Sequence, residues 1–450
     1  MIGRETELAR LIAALEAARS GRGALWLITG TSGAGKTLLA AELADHAQAQ
    51  GMTVLHGTAH ERGGPLHALW RDPLQTLGVW NPDFDAHPDR IPAAFQAALD
   101  RLPGPALLVL NDLHHADEEI ETLAELLPRL GHLPLLVVGL VCDDAPCGAL
   151  DELPGAEALA LPPLPLDAIR RMAADMPNTD AAPDIAAIAH ETGGNTFLVI
   201  EALRAGGDVS GGPAGIERRA LARFSQPPAD LLPLAAVAGH HLDRALLVHL
   251  VPDADLDGWL RAGVEAGVLA QIGGAWCFTH ARLRNRVFDD LPEEARRELH
   301  RRVAGGLEAV YAGDPDAHAE AISGHWRRAG DVPRELPWVL RAGNYLATHR
   351  ARLLWARRLL MRAEKQQADH PDPDFTAQVL VAIARVGHAL GGGTLTELYV
   401  RKAVTATQDL PPESPAHARL AALYAEMTAG EPSGIDALDA SDALLPGESS

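Results

Sequence analysis

The sequence is poor in cysteine, in lysine, in net positive charge and in long apolar runs, and each shortage closes off a class of function. Its three cysteines, Cys142, Cys147 and Cys277, form an odd set without CxxC spacing, so neither a disulfide framework nor a thiolate zinc site is encoded and free thiols are expected. Twenty histidines are present but no HExxH pair, and an isolated histidine is more often a surface or core residue than a metal ligand. The formal net charge is −21, which argues against a chain-wide attraction to nucleic acid or to an anionic membrane surface. The apolar run Leu135 to Cys142 has eight residues, far below the ~20 that span a bilayer. The opening Met1-Ile2-Gly3-Arg4-Glu5 lacks an apolar core and carries an early acid, the wrong pattern for a secretory signal. These readings predict a soluble, cytoplasmic protein with no membrane partner.

What remains is a chain of 450 residues, 47% hydrophobic, long enough for about three domains. Its 42 glycines and 32 prolines follow no period, which excludes collagen-like and long disordered readings. Ala24 to Thr29, Thr53 to His56, Ala106 to Leu110 and Leu135 to Val141 are short β-type runs separated by helical stretches, the alternation of a parallel α/β sheet. From about Leu164 the periodicity becomes helical, with strand character returning only at Val268 to Phe278. The Gly-rich stretch Gly206 to Gly215 reads as a linker between helical segments. After His300 the pattern is that of antiparallel helix pairs, with stops expected at Gly330-Asp331, Gly343 and Gly391-Gly392-Gly393. The acidic, small-residue tail from Ser433 to Ser450 is expected to fray.

One motif carries specific chemistry. Gly30-Thr31-Ser32-Gly33-Ala34-Gly35-Lys36-Thr37 matches GxxxxGK[ST] and follows the apolar run Leu25 to Thr29, ahead of a helix expected over Leu38 to Ala49. Glycines at this spacing let the backbone curl so that successive N–H groups face phosphate oxygens, and the helix N-terminus adds its positive dipole end. Lys36 is expected to reach the β and γ phosphates, and the Thr37 hydroxyl to help hold Mg²⁺. The composition gives roughly 0.002 matches to this pattern by chance. Lys36 is also the only lysine before Lys365 in a chain that otherwise uses arginine, as though a compact ammonium were required there. A second run, Leu107 to Asp112, ends an apolar strand in an acid, which makes Asp112 the candidate to hold Mg²⁺ or orient the attacking water. Asn111 stands where a second acid is useful, and an amide neither accepts a proton nor binds a cation as a carboxylate does. Hydrolysis is therefore expected to be slow.

In these motifs and those that follow, the sequence resembles the signal-transduction ATPases with numerous domains, the STAND class of AAA-like ATPases, and in particular the ATPase module of large LuxR-type bacterial regulators. Ile2-Gly3-Arg4-Glu5-Thr6-Glu7-Leu8 is similar to the family's GRExEL opening. Asn111-Asp112-Leu113-His114-His115-Ala116-Asp117 resembles its acid-Asp-Leu-His-Trp-Ala-Asp segment. Thr192-Gly193-Gly194-Asn195-Thr196-Phe197 resembles TGGNPF of the helical lid, and Phe278-Thr279-His280-Ala281-Arg282-Leu283 resembles FRHALI of a winged-helix unit. The resemblance covers about residues 1 to 300 and weakens over a helical region similar to a tetratricopeptide array. It implies a P-loop AAA-like α/β domain over 1–150, a helical lid over 151–212, a winged helix over 213–300, a TPR-like α-helical array over 301–432 and a flexible acidic tail over 433–450. It implies ATP or ADP with Mg²⁺ as cofactors, held by Gly30, Thr31, Ser32, Gly33, Ala34, Gly35, Lys36, Thr37 and Leu38, with Gly3 and Arg4 near the base. Thr37 and Asp112 would serve the metal, and Asp112 would be the catalytic residue. His280 would report the β-phosphate by analogy, a buried wing-strand histidine being the alternative. A protein partner on the C-terminal helices and a nucleotide-dependent homo-oligomer also follow from the resemblance.

The chain departs from the family's pattern at Asn111, at Cys142 where relatives often carry arginine, at His115 in place of tryptophan and at Thr196 in place of the lid proline. Loss of a cation that stabilises transition-state charge costs ~10³ or more in phosphoryl transfer, so binding can outlast catalysis. Two functions stay open at this point: an ATP-dependent switch that exposes the helical region, and a helical interaction scaffold with a structural, non-hydrolysing nucleotide site. The winged-helix region, Ala220 to Leu291, is read as part of the nucleotide switch, and direct DNA binding is not expected. A third feature is the segment Leu336 to Ala363, where Arg341, Arg350, Arg352, Arg357, Arg358 and Arg362 interleave with Trp338, Tyr345 and Trp355. It reads either as a grip for an acidic partner or nucleic acid, or as the solvated face of amphipathic helices.

Overall fold

The computed structural model describes residues 1–59, 68–81, 84, 90–102, 104–116, 119–143, 153, 155–176, 182–224, 228, 230–272, 275–348, 352–367 and 372–429. Cys147, Asp117, Arg350 and the tail 433–450 lie outside these residues. The chain divides into two compact units, Met1–Trp338 and Val339–Ser450.

The first unit opens with helix α1 (Glu5–Arg19) and a five-stranded sheet of β1 (Ala24–Gly30), β2 (Thr53–Thr58), β3 (Ala106–Asn111), β4 (Leu135–Cys142) and β5 (Glu157–Ala160). The strand order is β2-β3-β4-β1-β5, and every pairing is parallel. The four runs read from the sequence are strands, and β5 is an addition. Its sequence, EALA, has one buried residue and no β-branched side chain, so only its pairing to β1 marks it. Helices α2 (Lys36–Ala49), α3 (Ala68–Thr76), α4 (Ile91–Leu99) and α5 (Glu119–Leu130) complete the layers. Strands β3 and β4 are buried almost end to end, as central parallel strands covered on both faces must be. Period-2 alternation sorts their side chains into two cores. Trp26, Ile28, Val109, Leu136 and Val138 meet Leu11, Leu15, Leu39 and Leu43 on one face, while Leu25, Leu27, Leu108 and Val137 meet Trp70, Phe95 and Leu123 on the other. Each buried Leu or Val contributes ~1.5–3 kcal/mol.

Beyond the sheet the fold is mainly helical: α6 (Leu166–Asp175), α7 (Ile185–Thr192), α8 (Thr196–Arg204), α9 (Gly212–Ala222), α10 (Leu231–Ala238), α11 (Arg244–Leu250), α12 (Leu256–Glu265) and α13 (Ala281–Asp289). They surround a small antiparallel sheet of β6 (His241–Leu242), β7 (Leu269–Ile272) and β8 (Ala275–Phe278), ordered β6-β8-β7. The last two strands fall inside the Val268 to Phe278 run; the two-residue β6 is too short to leave a sequence pattern. The expected linker at Gly206 to Gly215 is instead a packed turn into α9. Arg219 donates to the Ser210 and Asp208 carbonyls at 2.9 and 2.8 Å, and a Cβ on Gly215 would lie 2.1 Å from the Ser210 oxygen. Helices α14 (Glu293–Val310) and α15 (Pro315–Ala329) close the first unit around Val303, Ile322 and Trp326.

Helix α16 (Val332–Ala347) contains the point of division between the units. In the second unit α17 (Leu353–Gln366), α18 (Pro373–Ala389), α19 (Thr394–Gln408) and α20 (Pro415–Ala429) follow, with Ala377 and Val379 to Ala384 of α18 buried among them. Gly330 ends α15 in the left-handed conformation at φ 76°, and Gly391 to Gly393 separate α18 from α19. Gly343 is not a stop. It lies inside α16, where a Cβ would come within 2.5 Å of Leu360, so its role is close helix packing. Among the described residues no helix is long and apolar enough to cross a membrane. Trp338 of the Arg-rich segment packs in the α14–α15 core and donates its indole N–H to Glu308 at 2.7 Å.

Candidate functional site

The sequence places Gly30 at the carboxyl end of β1 beside Cys142 of β4, the edge where open α/β sheets hold ligands. The loop turns on Gly33 and Gly35, both in the left-handed region at φ 84° and 99°, and α2 starts at Lys36, two residues earlier than the pattern suggested. The first-turn amides of a helix have no carbonyl one turn back, so this end presents unpaired N–H groups and the positive end of the helix dipole. Lys36 folds back over the loop, its Nζ donating to the carbonyls of Gly30 at 2.6 Å and Thr31 at 3.0 Å. The result is an ammonium held over a helix N-terminus, a donor set suited to a polyanion.

The outer side of the same loop is held by the start of α8. The Asn195 amide donates to the Ser32 carbonyl at 2.9 Å, the Phe197 N–H to Gly33 at 2.9 Å and the Thr196 hydroxyl to Ala34 at 2.7 Å. The N-cap and first two residues of one helix thus take three consecutive carbonyls across more than 160 positions of sequence. The glycines make this approach possible: a Cβ on Gly33 would lie 2.7 Å from Asn195 Oδ1 and 3.1 Å from the Phe197 Cβ, and one on Gly35 would lie 3.3 Å from Thr196 Oγ1.

Two cavities flank the loop. The first, about 650 Å³, is lined by Arg4, Thr31 and Ala34 together with Pro162, Gly194 and Asn195. Arg4 is 1% exposed. Its Nη2 donates to the Ala34 carbonyl at 3.2 Å and lies 3.5 Å from Thr196 Oγ1, and its nearest carboxylate is Glu7 at 3.8 Å. Nε and Nη1 have no hydrogen-bond partner, and burial lowers the guanidinium pKa against the opposing pull of Glu7. Buried unsatisfied donors cost on the order of 1–3 kcal/mol each. Gly3 takes part indirectly: at φ 76° it packs where a Cβ would lie 2.6 Å from the Ala168 Cβ.

The second cavity, about 550 Å³, brings together Ser32, Gly33, Lys36, Thr37, Asn111, Asp112, Cys142 and His280. Leu38 lines neither cavity. Asp112 follows β3 with φ 55°, the one positive φ on a non-glycine among the described residues. That conformation starts the turn Leu113–His115, closed by His115 N–H to the Asp112 carbonyl at 2.8 Å. Leu113 is buried beneath it, against Gly139 of β4, where a Cβ would lie 2.2 Å from the leucine. A glycine in the middle of a central strand therefore seats the acid turn. His280 precedes α13 and sets its ring 4.3 Å from that of Phe197 of α8, tilted by 53°. Burial, reinforced by Arg204 and Arg282 against the opposing Glu201, pushes its pKa down to about 4. His240 in the same cavity is pushed down to about 3, chiefly by burial, so both imidazoles are neutral at pH 7. Cys277 is raised to about 11 by burial and by Asp112, which leaves it a thiol.

Two residues central to this arrangement, Arg282 and Glu217, have no role assigned from the sequence. Arg282 lines both cavities and donates to Glu217 Oε1 at 3.0 Å, while Arg286 donates to Oε2 at 2.8 Å. Glu217, 3% exposed, thus fastens α9 to α13. A lone Glu in a helical run is normally a solvated residue, and only the fold shows it to be a buried clamp.

Comparison with known proteins adds the following. An AAA ATPase domain family matches residues 1–138, the part that carries the glycine loop, strands β1 to β3 and the start of β4. No curated protein matches the sequence. Among solved structures, the chain is similar to a signal transduction ATPase with numerous domains, with a tetratricopeptide repeat sensor, from Pyrococcus horikoshii, at 12% identity and TM-score 0.46 over 95% of this chain and 80% of that one. It is also similar to Cdc6p from Pyrobaculum aerophilum, at 15% identity and TM-score 0.38 over 64% and 95% of the two chains. A third is the Aeropyrum pernix ORC1 protein, solved in complex with DNA, at 18% identity and TM-score 0.37 over 64% and 93%.

Proposed function

We propose that this chain is an ATP-binding switch of the STAND type, related to the ATPase module of large LuxR-type regulators, in which nucleotide state is coupled to the helical regions that follow the sheet. The carrying observation is the triple attachment of Asn195, Thr196 and Phe197 to the phosphate loop. A polyphosphate drawn onto the inner face of the loop pulls on amides whose carbonyls are bonded to α8, so loop occupancy and the position of this lid helix are one equilibrium. In this reading the base lies toward Arg4 and Gly3, the phosphates on Gly30 to Thr37, and the terminal phosphate faces the cavity of Asp112 and His280. Bound Mg²⁺ would supply charge neutralisation and would be held by the Thr37 hydroxyl and the Asp112 carboxylate. Residues 213–300 act as a winged-helix unit carrying His280, whose neutral imidazole is suited to donate one hydrogen bond to phosphate. The C-terminal helices present the surface for a protein partner, the cytoplasm is the working compartment, and nucleotide-dependent homo-oligomerisation is the accompanying assembly step.

The test is limited proteolysis of wild type and Lys36→Ala with ATP, with ADP and without nucleotide. The wild-type digestion pattern should differ between ATP and ADP, and the variant should show one pattern throughout. An identical nucleotide response in Lys36→Ala would sink the proposal. A second reading, a scaffold with a non-hydrolysing site, draws support from Asn111 and Cys142, which line the cavity where a second acid and a cation would assist turnover. Purified protein that retains ADP and releases no phosphate over hours selects the scaffold; steady phosphate release selects the switch.

A further inference from the structure

A third cavity, about 590 Å³, lies away from the phosphate loop between the end of α13, the first turns of α14 and the end of α15. It is lined by Arg296, Arg297, Arg327 and Arg328, with Glu293 as its carboxylate, and by Phe288 and His300. Four guanidinium groups against one acid give the lining a formal charge of +3 in a chain whose net charge is −21. Three of the four are held differently. Arg296 donates to the Leu291 carbonyl at 2.9 Å and lies over the Phe288 ring at 5.2 Å. Arg297 pairs with Glu293 one turn back. Arg327, exposed at the last turn of α15, has no carboxylate partner among the described residues. Beneath them His300, 4% exposed, bonds through Nδ1 to Nδ1 of the buried His325 at 2.9 Å. One nitrogen of that pair must donate and the other accept. His300 Nε2 is buried and has no partner at all. If His325 donates, His300 Nε2 carries a hydrogen with nowhere to go.

We propose that this cavity is a binding site for a small phosphate-bearing anion of two or more negative charges, with the four arginines as its rim and His300 as a neutral donor in its floor. Arginine forks match phosphate oxygens bidentately, and the volume falls in the ~300–1,000 Å³ range of metabolite pockets. The recess and the chain's overall negative charge favour a small molecule over a nucleic-acid backbone. The site is separate from the phosphate loop and stands whether or not the loop binds nucleotide.

The experiment is calorimetric titration of inorganic pyrophosphate into the full chain, in a Lys36→Ala background that weakens uptake at the loop. Binding is expected in Lys36→Ala, and the added pair Arg297→Gln and Arg327→Gln should weaken it at least tenfold. Both arginines are exposed, so the fold should survive their replacement, which an unchanged circular dichroism spectrum and thermal midpoint verify. Replacing His300 by Gln, which keeps a neutral donor, should weaken binding less than replacement by Leu. No heat in Lys36→Ala, or undiminished binding in the arginine variant, overturns the proposal.

Discussion

Thr196 offers the sharpest test of the coupling between the phosphate loop and α8, because a single hydroxyl makes the contact and its loss scarcely changes the side-chain shape. The residue is 4% exposed, and its Oγ1 donates to the Ala34 carbonyl at 2.7 Å. In Thr196→Val that bond disappears, while the carbonyl keeps Arg4 Nη2 at 3.2 Å and so is not left without a donor. The loss is then the net worth of one neutral hydrogen bond, about 1 kcal/mol, together with the long contact that Arg4 Nη2 makes to the same hydroxyl at 3.5 Å, rather than the larger penalty of an orphaned acceptor. A free-energy change of about 1 kcal/mol alters a local opening equilibrium roughly fivefold. The natural reporter is the Phe197 amide, which donates to the Gly33 carbonyl at 2.9 Å and can exchange only when α8 leaves the loop. Hydrogen exchange at Phe197 should accelerate about fivefold in Thr196→Val and stay within twofold of wild type in Thr196→Ser. Wild-type exchange in the valine variant, or equal acceleration in both, would refute the claim that this hydroxyl holds α8 to the loop.

Three other outcomes follow from the same geometry. Gly33→Ala puts a methyl 2.7 Å from Asn195 Oδ1 at a φ of 84°, so it should strain the loop, loosen α8 and lower affinity for a fluorescent ATP analogue by tenfold or more, read by titration. His240 and His280 have folded pKa values near 3 and 4, below their ordinary value. Their contribution to stability is therefore complete above about pH 6.5 and is lost as the pH falls toward 4, because the unfolded chain takes up protons that the folded one refuses. Urea midpoints between pH 7 and pH 4.5 should fall for wild type and fall less steeply for His280→Gln. Gly305→Ala, inside α14 with nothing within 4 Å of the new methyl, should stabilise by up to about 1 kcal/mol, whereas Gly343→Ala, 2.5 Å from Leu360, should destabilise by about 1–3 kcal/mol; thermal unfolding decides both.

Much of the fold was legible because its signals are local. Four parallel strands announced themselves as apolar runs, since a strand covered on both faces has no polar face to break the run. The phosphate loop was legible for a related reason: the turn, the ammonium and the helix start that it needs fit within eight residues. Strand β5 was not, because its EALA sequence fits a helix as readily as a strand and only pairing to β1 decides. Gly343 shows the converse error, a glycine that reads as a helix stop and is in fact a packing contact inside a helix.

The amino-acid order alone therefore marked four of the five strands, the glycine turn with its lysine and the acid at the end of β3, since each rests on neighbours in the chain. The attachment of Asn195, Thr196 and Phe197 to the loop, the burial of Glu217 between two arginines and the gathering of four arginines over His300 came only with the tertiary structure. Their partners lie on different elements, and no periodicity in one segment records which distant backbone or charge will stand across from it.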